Sequence, residues 1–253
     1  MSEWLVLTLA MAAACAVVLT IVVINNRRVR EDDDPSETPD VIEYMTMMIG
    51  VVYAIVLGLA IAGVWEARGA AQDSVRQEAQ ALHEISARVQ VYPAEVRDRT
   101  RADVDAYVSY VVRKEWPHMS EHGELTDRSA ALLERVRRDV TDYRPANDHE
   151  GQAYQPLVDM VAMADEARGA RGDSAGATMP GVVWFGLITG ALVTVGLIFT
   201  LQIRRSLREL LLAGLFSALI AFLLFLIWDF DSPFSHGISA AVEPYVDLFP
   251  HAR

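Results

Sequence analysis

Four long apolar stretches dominate the hydropathy pattern of the chain. Each is 19 to 22 residues long, and none contains Asp, Glu, Lys or Arg. They run from Trp4 to Ile24, Tyr44 to Trp65, Val182 to Ile203 and Leu210 to Trp228. A helix of about 20 residues is long enough to cross the hydrocarbon core of a bilayer, which is roughly 30 Å thick. The pattern therefore predicts four transmembrane helices, called spans 1 to 4 below.

Arginines in two short loops predict how the spans are oriented. The loops carry Arg27, Arg28 and Arg30 after span 1, and Arg204, Arg205 and Arg208 between spans 3 and 4. Short loops with this charge stay in the cytoplasm. The opposite ends of the spans carry tryptophans, which form belts at membrane surfaces: Trp4, Trp65, Trp184 and Trp228. We expect a plasma membrane protein whose termini and segment between spans 2 and 3 are extracytoplasmic.

The polar segment after span 2 has apolar residues at helical spacing. No strong helix breaker occurs between Glu66 and Pro93, so span 2 is expected to continue out of the membrane as one helix. This continuation carries a single apolar stripe: Val75, Ala79, Leu82, Ile85 and Val89.

Three further helices are expected before span 3. One begins after Pro93 and is expected to stop at Pro117, because proline breaks helices. Thr126 and Asn147 are expected to cap the other two, and the spacing of apolar residues excludes strands. A glycine-rich run from Gly169 to Gly181 is expected to link this bundle to span 3.

These elements predict an all-α fold class: a polytopic membrane protein with four transmembrane helices and a helical extramembrane bundle between helices two and three. The expected boundaries are 1–25 for span 1, 26–43 for an acidic cytoplasmic loop, 44–65 for span 2, 66–181 for the helical domain and linker, 182–203 for span 3, 204–209 for a short basic loop, 210–228 for span 4 and 229–253 for a C-terminal tail.

Composition and charge narrow the expected partners. The 253 residues are 52% apolar and 22% charged, which is close to the average composition of soluble proteins. The overall composition therefore does not reveal the division into apolar and charged segments. The net charge is −12, and the basic residues after Arg97 alternate with acidic ones, so nucleic acid is not expected. The single cysteine, Cys15, excludes an intramolecular disulfide. The expected partners are the lipid bilayer and further copies of the chain.

Span 2 carries small residues at every fourth position: Gly50, Ala54, Gly58 and Ala62. Such a stripe lets another helix backbone approach closely. It indicates either packing within one four-helix subunit or packing around a symmetry axis. In the second case span 2 lines a permeation path, and bulkier apolar side chains would form a constriction that gates by dewetting: Met47, Met48, Ile55 and Leu59.

The residues from His118 to His122 match H-x-x-E-H, the pattern of inverted zinc peptidases. That chemistry requires two histidines one helical turn apart, a general base, a third ligand and an open position on Zn²⁺. Pro117 and Gly123 bracket the motif and leave about one turn of helix for it. We interpret His118 and His122 as incidental loop residues, with a metal site and pH sensing as the alternatives.

Asp229 and Asp231 follow span 4 directly. Two carboxylates at this position would supply oxygen ligands for Ca²⁺, or would form a turn that ends the helix ahead of Pro233. No other cofactor is expected, and the chain is not expected to be an enzyme.

Four short segments between Tyr44 and Pro250 resemble those of a known family. They are Gly50-Val-Val-Tyr-Ala through Val64-Trp65-Glu66, Gln77-Glu-Ala-Gln-Ala-Leu82, Glu115-Trp-Pro117 and Asp231-Ser-Pro-Phe-Ser235. With them the chain resembles the bacterial bestrophin-like domain family, four-span membrane proteins of unknown function. The resemblance implies a helical insert and, by analogy, an oligomeric bestrophin-type channel with a calcium-responsive acidic segment. This chain lacks the extended acidic cluster of true bestrophins, whose insert is cytoplasmic.

The leading functional hypothesis is a homo-oligomeric bestrophin-like ion channel with span 2 nearest the pore axis. No Asp, Glu, Lys, Arg or His lies inside a span, which argues against a proton-coupled transporter. The alternative is a non-conducting membrane sensor or scaffold that binds a partner through its helical domain. A membrane zinc peptidase is a distant third hypothesis.

Overall fold

The computed structural model describes residues 40–201, 207–234 and 242–252. Among them, three helices are long and apolar enough to cross a membrane, and they correspond to spans 2, 3 and 4. Span 1 and Cys15 lie outside the described residues, as do Arg27, Arg28, Arg30, Arg204, Arg205 and the side chain of Arg208. The count of four spans and the direction of insertion therefore stay predictions.

The described residues form helices and no strands, which confirms the all-α prediction for this part of the chain. The α-helices are α1 (Asp40–Arg88), α2 (Ala94–Tyr110), α3 (Trp116–His122), α4 (Asp127–Thr141), α5 (Asp148–Asp173), α6 (Gly181–Leu201), α7 (Leu207–Asp231) and α8 (Glu243–Leu248). A π-helical turn, Val111–Glu115, joins α2 to α3, and short 3₁₀ turns occupy Val89–Val91 and Pro250–Ala252.

The chain divides into two compact units. Of the described residues, the first unit contains those up to Trp65 and those of Met179–Phe230, and the second contains Glu66–Thr178 and those from Asp231 onward. Helix α1 contributes to both units, because it continues without interruption from span 2 to Arg88, as predicted.

A small core joins α1, α6 and α7 in the first unit. Its buried side chains are Tyr53, Leu57, Val64, Leu187, Ala191, Ile220 and Ile227. The hydroxyl of Tyr53 donates a hydrogen bond of 2.9 Å to the carbonyl oxygen of Leu187. Gly190 leaves room for the Tyr53 ring, because an added Cβ would lie 2.6 Å from Cε2 of that ring. A missing side chain thus lets α6 approach α1.

The second unit buries the apolar stripe that the sequence predicts on α1. Val75, Ala79, Leu82, Ile85 and Val89 are all buried, in one core with apolar residues of α2, α4 and α5. The predicted helix caps are also present. The Thr126 side chain accepts a hydrogen bond from the backbone N–H of Ser129, and the Asn147 side chain accepts one from the backbone N–H of Glu150.

Two predicted boundaries in the second unit are wrong. The helix does not stop at Pro117, because the π turn allows the chain to continue: the N–H of Trp116 bonds to the carbonyl oxygen of Val111, five residues back. Helix α3 ends instead at Gly123, which has a φ of 71° that glycine adopts without strain. Helix α5 continues to Asp173, so it includes Gly169 and Gly172, where the sequence predicts a linker.

Replacing Gly190 with valine is expected to destabilise the first unit. The added side chain would overlap the buried Tyr53 ring, and overpacking of this kind costs about 1–3 kcal/mol. Thermal unfolding of the detergent-solubilised protein should show a lower Tm. Gly186→Val on the same helix is the control, because an added Cβ there meets no atom of the described residues within 4 Å. An equal loss at both positions would contradict the packing argument.

Candidate functional site

One basic and two acidic side chains, all fully buried, meet inside the second unit. Glu78 of α1, Glu115 of the π turn and Arg171 of α5 each have 0% exposure. Arg171 bridges the two carboxylates: its Nε lies 2.8 Å from Oε2 of Glu78, and its Nη2 lies 2.8 Å from Oε1 of Glu115. We call these three residues the Arg171 cluster.

Neighbouring side chains satisfy the remaining oxygen atoms of the cluster. Oε1 of Glu78 accepts hydrogen bonds from the Tyr107 hydroxyl and from Arg171 Nη2. Oε2 of Glu115 accepts bonds from the backbone N–H of Thr126 at 3.0 Å, from the Thr126 hydroxyl at 2.9 Å and from the Ser129 hydroxyl. Both carboxylates therefore keep hydrogen-bond partners although they are removed from water.

The electrostatic environment keeps Glu115 and Arg171 charged. Burial alone would raise the pKa of Glu115, but the charge of Arg171 and the hydrogen bonds from Ser129, Thr126 and Arg171 outweigh it and lower the pKa. Burial would likewise lower the pKa of Arg171, but the charge of Glu78 outweighs it and raises the pKa. Nη2 of Arg168, 3.9 Å from Glu115, brings a second positive charge close to this carboxylate.

Aromatic residues enclose the cluster. Trp116 places its ring 5.8 Å from Cζ of Arg171 and contacts the rings of Phe234 and Tyr245. Burial, followed by the negative charge of Glu78, raises the pKa of both Tyr107 and Tyr245. These phenols remain neutral at physiological pH, so the charged groups of the cluster are the carboxylates and the guanidinium.

Sequence reasoning did not identify the Arg171 cluster. Arg171 lies in the stretch expected to be a linker, where a buried charge has no sequence signal. Glu78 and Glu115 do lie in two of the segments that carry the family resemblance, Gln77 to Leu82 and Glu115 to Pro117. Glu78 also falls on the buried side of α1, between Val75 and Leu82 at helical spacing, and this position was the available signal.

The predicted pore residues lie on a face of α1 turned away from its core contacts. Met47, Met48, Ile55 and Leu59 are 59% to 69% exposed, and Ala54, Gly58 and Ala62 are also exposed. An added Cβ at Gly50 or Gly58 would meet no neighbouring atom of the described residues within 4 Å. The described part of the subunit therefore does not pack against this stripe.

Both groups of predicted ligands lie in described parts of the chain. His118 and His122 both lie on α3, with their rings stacked 4.4 Å apart. Asp231, the last residue of α7, is buried, and its Oδ1 accepts a hydrogen bond of 2.9 Å from the Thr178 hydroxyl. The described residues contain no group of three or more His, Cys, Asp and Glu side chains arranged to hold a metal ion. The Ca²⁺ site at Asp229 and Asp231 stays a prediction.

Replacing Arg171 with methionine is expected to destabilise the protein by about 3–5 kcal/mol, because two buried carboxylates would lose their counter-charge. Arg137→Met is the control: Arg137 forms an exposed pair with Asp165, which should contribute no more than about 1 kcal/mol. Thermal unfolding of the solubilised variants measures the difference. Comparable losses for the two variants would show that the cluster does not hold the unit together.

Glu115→Gln is expected to change how stability depends on pH. The pKa of Glu115 is lowered in the folded protein, so its contribution is complete above about pH 4.5 and is lost as the pH falls through the folded value. The variant should be less stable at pH 7 and should lose less stability below about pH 4.5. Unfolding at several pH values tests this, with Glu121→Gln, an exposed residue of α3, as the control. If stability depended on pH in the same way in the variant, the lowered pKa of Glu115 would be contradicted.

Comparisons with known proteins agree with this fold. A profile of the bestrophin-like domain matches residues 12–245. The crystal structure of a bacterial bestrophin homologue from Klebsiella pneumoniae has a TM-score of 0.69 and 12% identity, covering 95% of this chain and 97% of that chain. A single-residue variant of that homologue has a TM-score of 0.71 and 11% identity, covering 98% of each chain. Among curated proteins no relative matches. The match over most of its length shows that this chain, a membrane protein, belongs to the bestrophin-like family.

Proposed function

We propose that the protein is a subunit of a homo-oligomeric ion channel in the plasma membrane, with span 2 nearest the pore axis. The exposed face of α1 in the first unit is the observation that carries this proposal. Membership in the bestrophin-like family and the fold shared with a bacterial bestrophin homologue support it.

The two sides of span 2 have different surroundings. Successive residues of a helix are about 100° apart, so Tyr53, Leu57 and Val64 lie on one side, and these residues are buried against α6 and α7. Ile55 and Leu59 lie on the opposite side and are exposed. An oligomer would cover this side with other copies of α1.

The small-residue stripe gives that exposed side its role in assembly. Lipid tails are as apolar as a leucine side chain, so contact with lipid does not require small residues. Small residues are instead enriched where the backbones of two helices approach closely. Gly58 and Ala62 would let the α1 of a neighbouring subunit come near. Met48, Ile55 and Leu59, on the adjacent part of the same side, would then face the axis and form the apolar constriction.

The proposed topology has four spans, with the loops after span 1 and span 3 in the cytoplasm. It places the helical unit of residues 66–178 outside the membrane on the extracytoplasmic side. The arginines of the two short loops and the tryptophans at the opposite span ends support this direction.

Leu59→Ser is expected to raise the conductance of reconstituted protein, because a polar side chain at an apolar constriction favours hydration of the pore. Leu215→Ser on α7 is the matched control: the two leucines are 69% and 68% exposed, but only Leu59 is on the proposed axial side. Planar bilayer recordings measure the effect. Equal changes in conductance for both variants would contradict the placement of span 2 at the pore.

The arrangement of subunits is tested by cysteine cross-linking. Cys15 is the only cysteine, so Cys15→Ala gives a clean background in which Gly58→Cys should form cross-linked oligomers and Leu215→Cys should form few. A monomer without conductance would overturn the proposal. An oligomer that forms these cross-links and passes no ions at varied pH, Ca²⁺ concentration and voltage would favour the sensor or scaffold instead.

A further inference from the structure

Two histidines of α3 face each other across one helical turn. The ring centroids of His118 and His122 are 4.4 Å apart, and the ring planes differ by 18°. Residues four apart lie on the same side of a helix, and here His118 is half-buried and His122 is exposed. Imidazole lone pairs lie in the ring plane, so a tilt of the two rings out of this stacked arrangement would direct one nitrogen of each to a common ion.

A backbone contact orients one of the rings. Nδ1 of His122 lies 3.1 Å from the carbonyl oxygen of His118. A carbonyl oxygen only accepts hydrogen bonds, so Nδ1 of His122 is the donor and its Nε2 keeps a free lone pair when the ring is neutral. A bond from the second ring nitrogen to a backbone carbonyl is one of the ways in which proteins fix a metal-binding histidine.

We propose that His118 and His122 form a two-histidine site for a divalent transition metal ion of the Zn²⁺ and Cu²⁺ type. Imidazole nitrogen suits these ions, whereas Ca²⁺ and Mg²⁺ prefer oxygen ligands. Within the described residues no third His, Cys, Asp or Glu joins the pair, so water completes the coordination. Catalytic zinc sites use three protein ligands, so this site binds metal without being a peptidase centre.

The site is connected to the Arg171 cluster through the inner side of α3. Trp116 and Met119 on that side are fully buried, and Sδ of Met119 lies 3.6 Å from Nη1 of Arg171. A metal ion held by His118 and His122 would link two residues of α3, the short helix that carries both buried residues. Because an ion that binds only the folded state stabilises it, metal binding should stabilise the second unit.

Zinc binding by the full chain tests the proposal. The purified protein is stripped with EDTA and titrated with Zn²⁺ alone. The unsubstituted protein should bind about one ion per chain at this site, and its Tm should rise by about 3–6 °C at a free zinc concentration near ten times Kd. His149→Asn, a change at an exposed histidine of α5, is the matched control and should behave in the same way.

The single variants distinguish a chelate from two independent histidines. In a chelate both rings hold one ion, so His118→Asn and His122→Asn should each abolish nearly all of the zinc-dependent rise in Tm, and the double variant should lose little more. Losses of about half for each single variant would overturn the proposal. So would a zinc effect that persists in the double variant, or one that His149→Asn removes equally.

Discussion

The bridge from Arg171 to Glu78 and Glu115 is the constraint on which the second unit depends. A buried charge is tolerated only when opposite charges and hydrogen bonds surround it, and the cluster meets both conditions with 0% exposure at all three residues. It fixes α1, the π turn and α5 at one point. The hydrogen bonds from Thr126 and Ser129 attach the start of α4 to the same point. The apolar core of the second unit packs around this point.

The π turn is the local device that makes this arrangement possible. It shifts the hydrogen-bond register between α2 and α3 by one residue and places Glu115 inside the unit. The chain then continues through Pro117 as α3, whose inner side contacts the cluster and whose outer side carries the histidine pair. A single irregularity in a helix thus sets both the buried charge and the proposed metal site, which agrees with the frequent occurrence of π turns at functional positions.

The first unit follows different physical rules. Its core between α1, α6 and α7 is small, and most of its apolar surface is exposed, as expected for helices that a bilayer surrounds. Specificity comes from a few contacts, such as the Tyr53 hydroxyl bonded to Leu187 and the Tyr53 ring seated at Gly190. The exposed side of α1 is what the unit presents to other copies of the chain in the proposed channel. Function would then depend on assembly, because span 2 of one subunit would line only one side of the proposed path.

The sequence by itself determined the features that hydropathy and local chemistry encode: three described spans, the apolar stripe of α1, the caps at Thr126 and Asn147, and the family. It did not determine the end of α5, the passage of the helix through Pro117 or the Arg171 cluster. Glycines near Arg171 predict a linker on local propensity, but the helix continues because its extension brings the guanidinium to two carboxylates, 93 and 56 residues away along the chain. Pairing of buried charges is a long-range requirement, so only the tertiary structure decided which of the many charged residues would meet.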